Sequence, residues 1–203
     1  MSWAESSVEG VSRWRLLMEL KVVTSNPDKW LEISEILGEA GVRCRWVRMS
    51  LPEIQSDDLR EIAEFSAKEA HKRLGGAIIV EDAGLFIEAL AGFPGPYSSY
   101  VYKTLGLRGI LKLLDGEENR GAVFRSVVCM VTEGGEKIVA EGEVKGVITR
   151  EPRGSGGFGF DPIFAPAVAG GKTFAEMTRD EKNRLSHRGA AVRSLLRRIV
   201  GQP

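Results

Sequence analysis

An apolar run that ends in two acids constrains this chain more than any other feature. Residues 77–86 have the sequence AIIVEDAGLF, in which a β-branched stretch, residues 78–80, leads directly into Glu81 and Asp82. Such a stretch favours a strand that is covered on both faces, as the parallel strands of α/β proteins are. Open α/β sheets bind ligands beyond the carboxyl ends of their strands. We therefore predict that the two acids lie where the strand leaves the core. They either form a plain acidic turn, or they hold a divalent cation or accept a proton from water.

The composition limits the partners and the compartment of the chain. It has 28 basic and 28 acidic side chains in 203 residues, so no overall charge attracts it to nucleic acid or to an anionic membrane. Cys44 and Cys129 show neither metal-ligand spacing nor a disulfide framework, which fits a reducing setting. No apolar run approaches the roughly 20 residues that span a bilayer. We expect a cytoplasmic protein with no nucleic-acid and no membrane partner.

The beginning of the chain differs from the rest. Residues 1–19 carry Ser, Glu and Gly and lack the basic start and apolar block of a signal peptide. We predict a weakly ordered extension over residues 1–19, followed by a single domain over residues 20–203. Met18 is a candidate for the natural start, a hypothesis that N-terminal sequencing of the native protein tests.

The order of the predicted elements favours an α/β fold. Strands are predicted over residues 20–24, 42–49, 77–80, 123–132 and 137–147. Helices are predicted over residues 27–40, 59–74 and 105–114, with further helices after the caps Thr178 and Ser186. Residues 92–97, GFPGPY, are too rich in Gly and Pro for regular structure. A Gly-Gly hairpin beside strand–helix units predicts a mixed central β-sheet flanked by helices.

The turn after the first strand is a candidate phosphate site. In TSNPDK, residues 24–29, Asn26 is a good N-cap and Pro27 suits the first helical position. Free N–H groups and the positive end of the helix dipole attract phosphate, and Lys29 adds a full charge. The more common alternative is a capped helix with an exposed lysine.

A glycine-rich loop, residues 153–162, is a candidate base pocket. It contains GxGxxG, but Pro162 and Pro166 exclude the helix that a dinucleotide site needs directly after the glycines. Exposed Phe158 and Phe160, next to the acceptor Asp161, would suit a flat heterocycle that stacks on a ring. The alternative is a loop whose phenylalanines fill the core.

Two cationic segments near the end of the chain also carry functional candidates. Thr178 and Glu181 form a capping box for a short helix that contains Lys182. His187 and Arg188 lie at the start of the last helix, where cations are disfavoured, so donation to a ligand would explain them. Taken by themselves, Glu53 and His71 are expected to be surface residues.

Together these motifs resemble the inosine triphosphate pyrophosphatase family, also called the Ham1 or non-canonical purine NTP pyrophosphatases. The resemblance covers residues 20–200. It is carried by the segments TSNPDK, LPEIQ, VEDAGL, GFPGPY, GFGFDPIF, FAEM and EKNRLSHR, in this order. It implies Mg²⁺-dependent hydrolysis of ITP, dITP and XTP to the monophosphate and pyrophosphate, which cleanses the nucleotide pool. It also implies a homodimer whose subunits have an active-site cleft between two lobes.

The resemblance assigns roles to particular residues of this chain. It implies that Asp82 is the catalytic proton acceptor and that Glu53 and Asp82 engage Mg²⁺. The implied substrate-binding residues are Thr24, Ser25, Asn26, Pro27, Asp28, Lys29, Ala83, Phe158, Gly159, Phe160, Asp161, Lys182, His187 and Arg188. The chain departs from some relatives at Ser66 and Ser99, where those relatives carry lysines, so phosphate contacts from these two places are not expected.

Two other readings remain open at this stage. One is a Maf-type pyrophosphatase that acts on other nucleotides. The other is a nucleotide-binding module without turnover, which would bind without Mg²⁺ and release no pyrophosphate.

Overall fold

The computed structural model describes residues 19–52 and 54–200, without the side chain of Val200. The predicted N-terminal extension therefore lies, apart from residue 19, outside the described residues. The proposed start at Met18 and the predicted metal ligand Glu53 also lie outside them.

The described chain forms a seven-stranded sheet and six α-helices. The strands are β1 (Leu20–Val23), β2 (Cys44–Val47), β3 (Ile78–Ile87), β4 (Pro94–Gly95), β5 (Gly121–Val131), β6 (Lys137–Ile148) and β7 (Phe164–Pro166). The helices are α1 (Pro27–Glu39), α2 (Leu59–Leu74), α3 (Ser98–Thr104), α4 (Gly106–Leu113), α5 (Arg179–Leu185) and α6 (His187–Val200). None of the helices in these ranges is long and apolar enough to cross a membrane.

The sheet is mixed, as the sequence predicts. Its order is β2-β1-β3-β5-β6-β7, with β4 paired to β3 outside this path. β1 pairs in parallel with β2 and β3, whereas β5 pairs antiparallel with β3 and β6. The predicted hairpin is the β5–β6 pair, and the α/β fold class is confirmed. The two-lobed shape stays a prediction.

The edge of β3 that faces β1 is paired only in part. β1 pairs with β3 at Ile78 and Ile79, and β4 pairs with the same strand at Leu85 and Phe86. β5 occupies the opposite edge of β3 over its whole length. Residues 80–84 therefore form a gap between β1 and β4, and this gap contains both acids.

Two predictions about this region are wrong. Glu81 and Asp82 do not follow the strand but lie in its middle, because β3 continues to Ile87 against the long partner β5. Residues 94–95 of the GFPGPY segment are regular structure, since they form β4. The proline-rich turn can pair because β4 lies at the edge of the sheet, where few ladder hydrogen bonds are needed.

Apolar clusters cover both faces of the sheet. One cluster joins Ile79 and Val128 to α1 and α6, and another joins Ile78 and Val80 to α2. Successive residues of a strand point to opposite faces, so Glu81 continues the face of Ile79 and Asp82 the face of Val80. The alternation sends the two acids into different surroundings.

Candidate active site

A cleft of about 600 Å³ opens at the gap in β3. Of the residues predicted for the site, those that line it are Thr24, Ser25, Asn26, Asp28, Lys29, Asp82, Ala83, Phe158, Gly159, Phe160, Asp161, Lys182, His187 and Arg188. Pro27, the exposed first residue of α1, does not line the cleft. Segments that are far apart in the sequence thus meet at one place, as the sequence predicts.

The turn between β1 and α1 forms one end of the cleft. Asn26 is the N-cap of α1, and its Oδ1 accepts from the backbone N–H groups of Asp28 (2.8 Å) and Lys29 (3.3 Å). The prediction of free N–H groups is therefore wrong for these two amides. What the turn offers an anion is the ammonium of Lys29 and the hydroxyls of Thr24 and Ser25.

Asp82 faces the turn that carries Lys29. Its carboxylate is largely covered, with 23% of the side chain exposed, and Oδ1 lies 4.0 Å from the Lys29 Nζ. The same oxygen accepts from the Ala83 N–H at 3.0 Å. A carboxylate that is held this way at the floor of a cleft can accept a proton or contact a cation.

Glu81 is buried beside this pair and is ionised. Its carboxylate accepts from Ser126 Oγ at 2.6 Å and pairs with Lys29 at 2.9 Å and Arg188 at 3.1 Å. Burial by itself would raise the pKa of Glu81, but the charges of Arg188 and Lys29 outweigh it and lower that pKa to about 2. Glu81 therefore pairs with Lys29 of α1 and with Arg188 of α6.

A second buried carboxylate, Glu32 of α1, holds the cations of α5 and α6. Its oxygens lie 2.6 Å from Lys182 Nζ and in contact with Arg188. Burial opposes its ionisation, but Arg188 and Lys182 keep the pKa of Glu32 below its usual range. Lys182 also contacts Asp161 at 2.5 Å, so it bridges two carboxylates.

This network balances its own charge. The carboxylates of Glu32, Glu81 and Asp161 face the cations Lys29, Lys182 and Arg188. Buried charges are tolerated only when they are paired in this way. The network fixes the positions of its side chains on the wall of the cleft.

The glycine-rich loop presents Phe158 to this network. Lys182 Nζ lies 4.5 Å from the centre of the Phe158 ring, and the guanidinium carbon of Arg188 lies 5.3 Å from it. The Phe158 N–H donates to Asp161 Oδ2 at 2.8 Å, which ties the loop to Lys182. Burial raises the pKa of Asp161, although the ammonium of Lys182 opposes that shift.

Phe160 is not exposed, contrary to the prediction. It belongs to an apolar cluster, is 3% exposed, and packs edge-to-face on Tyr102 with ring centres 5.5 Å apart. It still borders the cleft, so of the two rings Phe158 is the one available for stacking.

His187 and Arg188 are tolerated at the start of α6 because of contacts within the protein, which the sequence does not reveal. Arg188 is 2% exposed, and its charge is matched by Glu32 and Glu81 rather than by solvent. His187 stacks on Phe124, with ring centres 4.5 Å apart, and burial holds its pKa well below the usual range. His187 is therefore neutral, and Arg188 is fixed by carboxylates before any ligand binds.

Sequence analysis missed Glu32 and Ser126. Glu32 lies on the buried face of α1 with Ile33 and Ile36, so an acid within an apolar stripe was the available signal. Ser126 carries no comparable signal, because one serine in a strand is common and its contact with Glu81 depends on the β3–β5 register.

The chain is similar to known proteins over most of its length. A sequence profile of the Ham1 family matches residues 20–198. The chain belongs to the Ham1 family. It is 54% identical over 176 residues to the dITP/XTP pyrophosphatase of Thermococcus kodakarensis. The aligned region covers 87% of this chain and 94% of that protein. It is 50% identical over 191 residues to the dITP/XTP pyrophosphatase of Hyperthermus butylicus, covering 92% and 100% of the two chains.

The fold is that of other Ham1 proteins. The solved Ham1 protein of Coxiella burnetii superposes with a TM-score of 0.75 at 31% identity, over 88% of this chain and 96% of that one. The predicted family is confirmed, and so is the expectation of a hydrolase family that acts on triphosphate anhydrides.

Proposed function

We propose that this protein hydrolyses non-canonical purine nucleoside triphosphates, namely dITP, XTP and ITP, to the monophosphate and pyrophosphate. The observation that carries the proposal is the position of Asp82, 4.0 Å from Lys29 in the same cleft as the Phe158–Asp161 loop. One cleft thus offers a carboxylate, a phosphate-side cation and a wall suited to a purine. The names of the relatives, dITP/XTP pyrophosphatase, support dITP and XTP as substrates.

The residues present fit Mg²⁺. Mg²⁺ is usually held by one or two carboxylates together with substrate phosphates and water. The described residues contain no group of three or more His, Cys, Asp or Glu side chains that could enclose a metal, but Asp82 supplies one carboxylate beside the phosphate turn. We propose that Asp82 holds the ion together with Glu53. When bound, Mg²⁺ would offset negative charge on the triphosphate.

The chain's own residues would then act as follows. Lys29 contacts and orients the triphosphate from the start of α1. Asp82 accepts the proton of a water whose oxygen attacks the α-phosphorus. The bond from that phosphorus to the bridging oxygen breaks, and pyrophosphate leaves with the bonding electrons. Glu81 stays ionised, since its pKa is about 2, and keeps Lys29 in place.

The choice of purine base would depend on the wall of the cleft that carries Asp161, His187 and Arg188. Hypoxanthine and xanthine present an O6 acceptor and an N1–H donor. Donors of the His187–Arg188 segment and the acceptor Asp161 match that edge, whereas adenine reverses both groups. A site built to pair buried polar groups rejects the unmatched base by about 10⁴-fold.

The proposal also places the protein in the cytoplasm as a homodimer. Three aromatic side chains that are close in the sequence, Phe93, Tyr97 and Tyr100, are 38%, 41% and 69% exposed, and exposed aromatic side chains suit a contact between proteins. Sedimentation equilibrium tests the dimer: a single monomeric species at micromolar concentration would contradict it.

A substrate panel tests the activity. Pyrophosphate release is measured from XTP, dITP, ITP, GTP and ATP, with Mg²⁺ and with EDTA. We expect release from the first three with Mg²⁺ and little from ATP. A preference for ATP, or equal release in EDTA, would contradict the proposal.

A further inference from the structure

The cleft has four cationic residues on its lining, and they differ in how their charge is matched. Among the described residues that line it, the cations are Lys29, Lys103, Lys182 and Arg188. Lys29 pairs with Glu81, and Lys182 and Arg188 pair with Glu32. Within the described ranges, Lys103 has no carboxylate within 4.0 Å. Its ammonium is therefore the cleft cation whose charge is not already offset.

The topology sets Lys103 and Lys29 on two sides of the gap in β3. β1 pairs with residues 78–79 and leads into α1, which carries Lys29. β4 pairs with residues 85–86 and leads into α3, which carries Lys103. α1 thus begins near one end of the gap and α3 near the other, and Asp82 lies in the gap between β1 and β4.

The helix that carries Lys103 is anchored rather than loosely placed. Ser98 Oγ, which is buried, accepts from the Leu85 N–H at 2.8 Å and donates to the Gly95 carbonyl at 2.7 Å. Gly84 permits this close packing, because a Cβ there would lie 2.3 Å from the Gly95 oxygen. The start of α3 is therefore fixed to the strand that carries Asp82.

One face of α3 forms the wall of the cleft. Ser99, Tyr102 and Lys103 all line it, and their spacing of three and four residues places them on one side of a helix. Tyr102 contacts Phe160, which connects this face to the glycine-rich loop. Lys103 thus projects from the wall that runs between the acids and the loop.

We propose that Lys103 is a substrate-binding residue that contacts the triphosphate from the side opposite Lys29. The proposal rests on the proposed function, since it assumes that the cleft takes a triphosphate. A polyphosphate carries several negative charges, and the buried network is already neutral, so a cation without a carboxylate partner is needed to attract it. Lys103 supplies that charge in the same cleft as Asp82 without disturbing the network.

The test uses a ligand without a base, inorganic tripolyphosphate, and binding rather than turnover. Its dissociation constant is measured by calorimetry for the wild type and for Lys103→Met, Lys103→Arg and Lys112→Met. Lys112 is an exposed lysine of α4 that does not line the cleft, so its variant is the matched control for the loss of a surface charge. Thermal unfolding of each variant checks that it is folded.

We expect Lys103→Met to weaken tripolyphosphate binding about tenfold, the size of one charge-assisted hydrogen bond, while Lys112→Met changes it less than twofold. Lys103→Arg should restore most of the loss, and added salt should narrow the difference. Equal affinity of the wild type and Lys103→Met, or a wild type that does not bind tripolyphosphate, would overturn the proposal. A failure of the proposed function is distinct, since it would show as tripolyphosphate binding that depends on Lys103 together with no pyrophosphate release from XTP or dITP.

Discussion

Arg188 and Glu81, which are 107 positions apart in the chain, form an ion pair that is almost completely shielded from water. Arg188 Nε lies 3.1 Å from Glu81 Oε1, with 2% and 1% of the two side chains exposed. The pair joins the start of α6 to the middle of β3. It therefore fixes the wall of the cleft against its floor, and its removal should affect folding and binding together.

Glu81→Gln should destabilise the protein at neutral pH. The pKa of Glu81 falls from its usual 4.5 in the unfolded chain to about 2 in the folded protein. Its contribution to stability is therefore present above about pH 4.5 and is lost as pH falls toward 2. That shift corresponds to about 3 kcal/mol. We expect urea unfolding to show a loss of about this size at pH 7 that shrinks toward pH 2.

The control is Glu143→Gln. Glu143 pairs with Arg125 at 3.6 Å, and both side chains are about half exposed, so the loss should stay below about 1 kcal/mol. A Glu81→Gln protein with the same stability as this control would contradict the account.

Glu32→Ala should be among the most damaging single changes in α1. It would leave Lys182 and Arg188 buried without their shared carboxylate, which costs about 3–5 kcal/mol. Glu39→Ala, at the end of the same helix, removes an exposed acid and should cost about 0.5 kcal/mol or less. Chemical unfolding of both proteins gives the comparison, and equal losses would show that the buried network is not a stabilising unit.

Because His187 is buried and neutral, the free energy of unfolding should fall in weak acid. Its folded pKa lies well below the usual 6.5, so the unfolded chain binds more protons below about pH 6.5 and stability should fall there by up to about 1.4 kcal/mol per pH unit. His187→Phe keeps a ring on Phe124 and should flatten the curve between about pH 6.5 and 5. An unaltered slope in His187→Phe would contradict the burial of a neutral imidazole.

Gly84→Ala tests the close packing of β4 on β3. Its new Cβ would lie 2.3 Å from the Gly95 oxygen, which is backbone and cannot rotate away. We expect a loss of about 2 kcal/mol or more, with weaker substrate binding, because α3 must shift. Gly134→Ala, whose Cβ would have no neighbour nearer than 3.9 Å, should change neither quantity. Thermal unfolding and the KM for XTP distinguish the two variants.

Much of the fold follows from local sequence patterns. The cap at Asn26, the capping box at Thr178 and the β5–β6 hairpin were each predicted from a few adjacent residues. β4 was not, because the pairing of Pro94 and Gly95 depends on an edge of β3 that sequence alone does not reveal. The position of Glu81 and Asp82 in the middle of β3 likewise depends on pairing with β5, which lies some 40 residues further along the chain.

The sequence predicts which residues line the cleft better than it predicts what those residues contact. Most of the expected residues do line the cleft, since strand ends and helix starts meet there. The sequence did not show that Arg188 is neutralised by Glu32 and Glu81, because such pairing depends on distances between α1, β3 and α6. For the same reason, Phe160 was expected on the surface and lies in the core.

The most direct test of the account is single-turnover hydrolysis of XTP with Mg²⁺ by the wild type, Asp82→Asn and Asp115→Asn, together with the affinity of each for XTP. Asp115 is an exposed acid outside the cleft and serves as the control. If Asp82 accepts the proton of the attacking water, Asp82→Asn should slow pyrophosphate release by about 100-fold or more and change the affinity far less, whereas Asp115→Asn should match the wild type. An Asp82→Asn protein that releases pyrophosphate as fast as the wild type would contradict it.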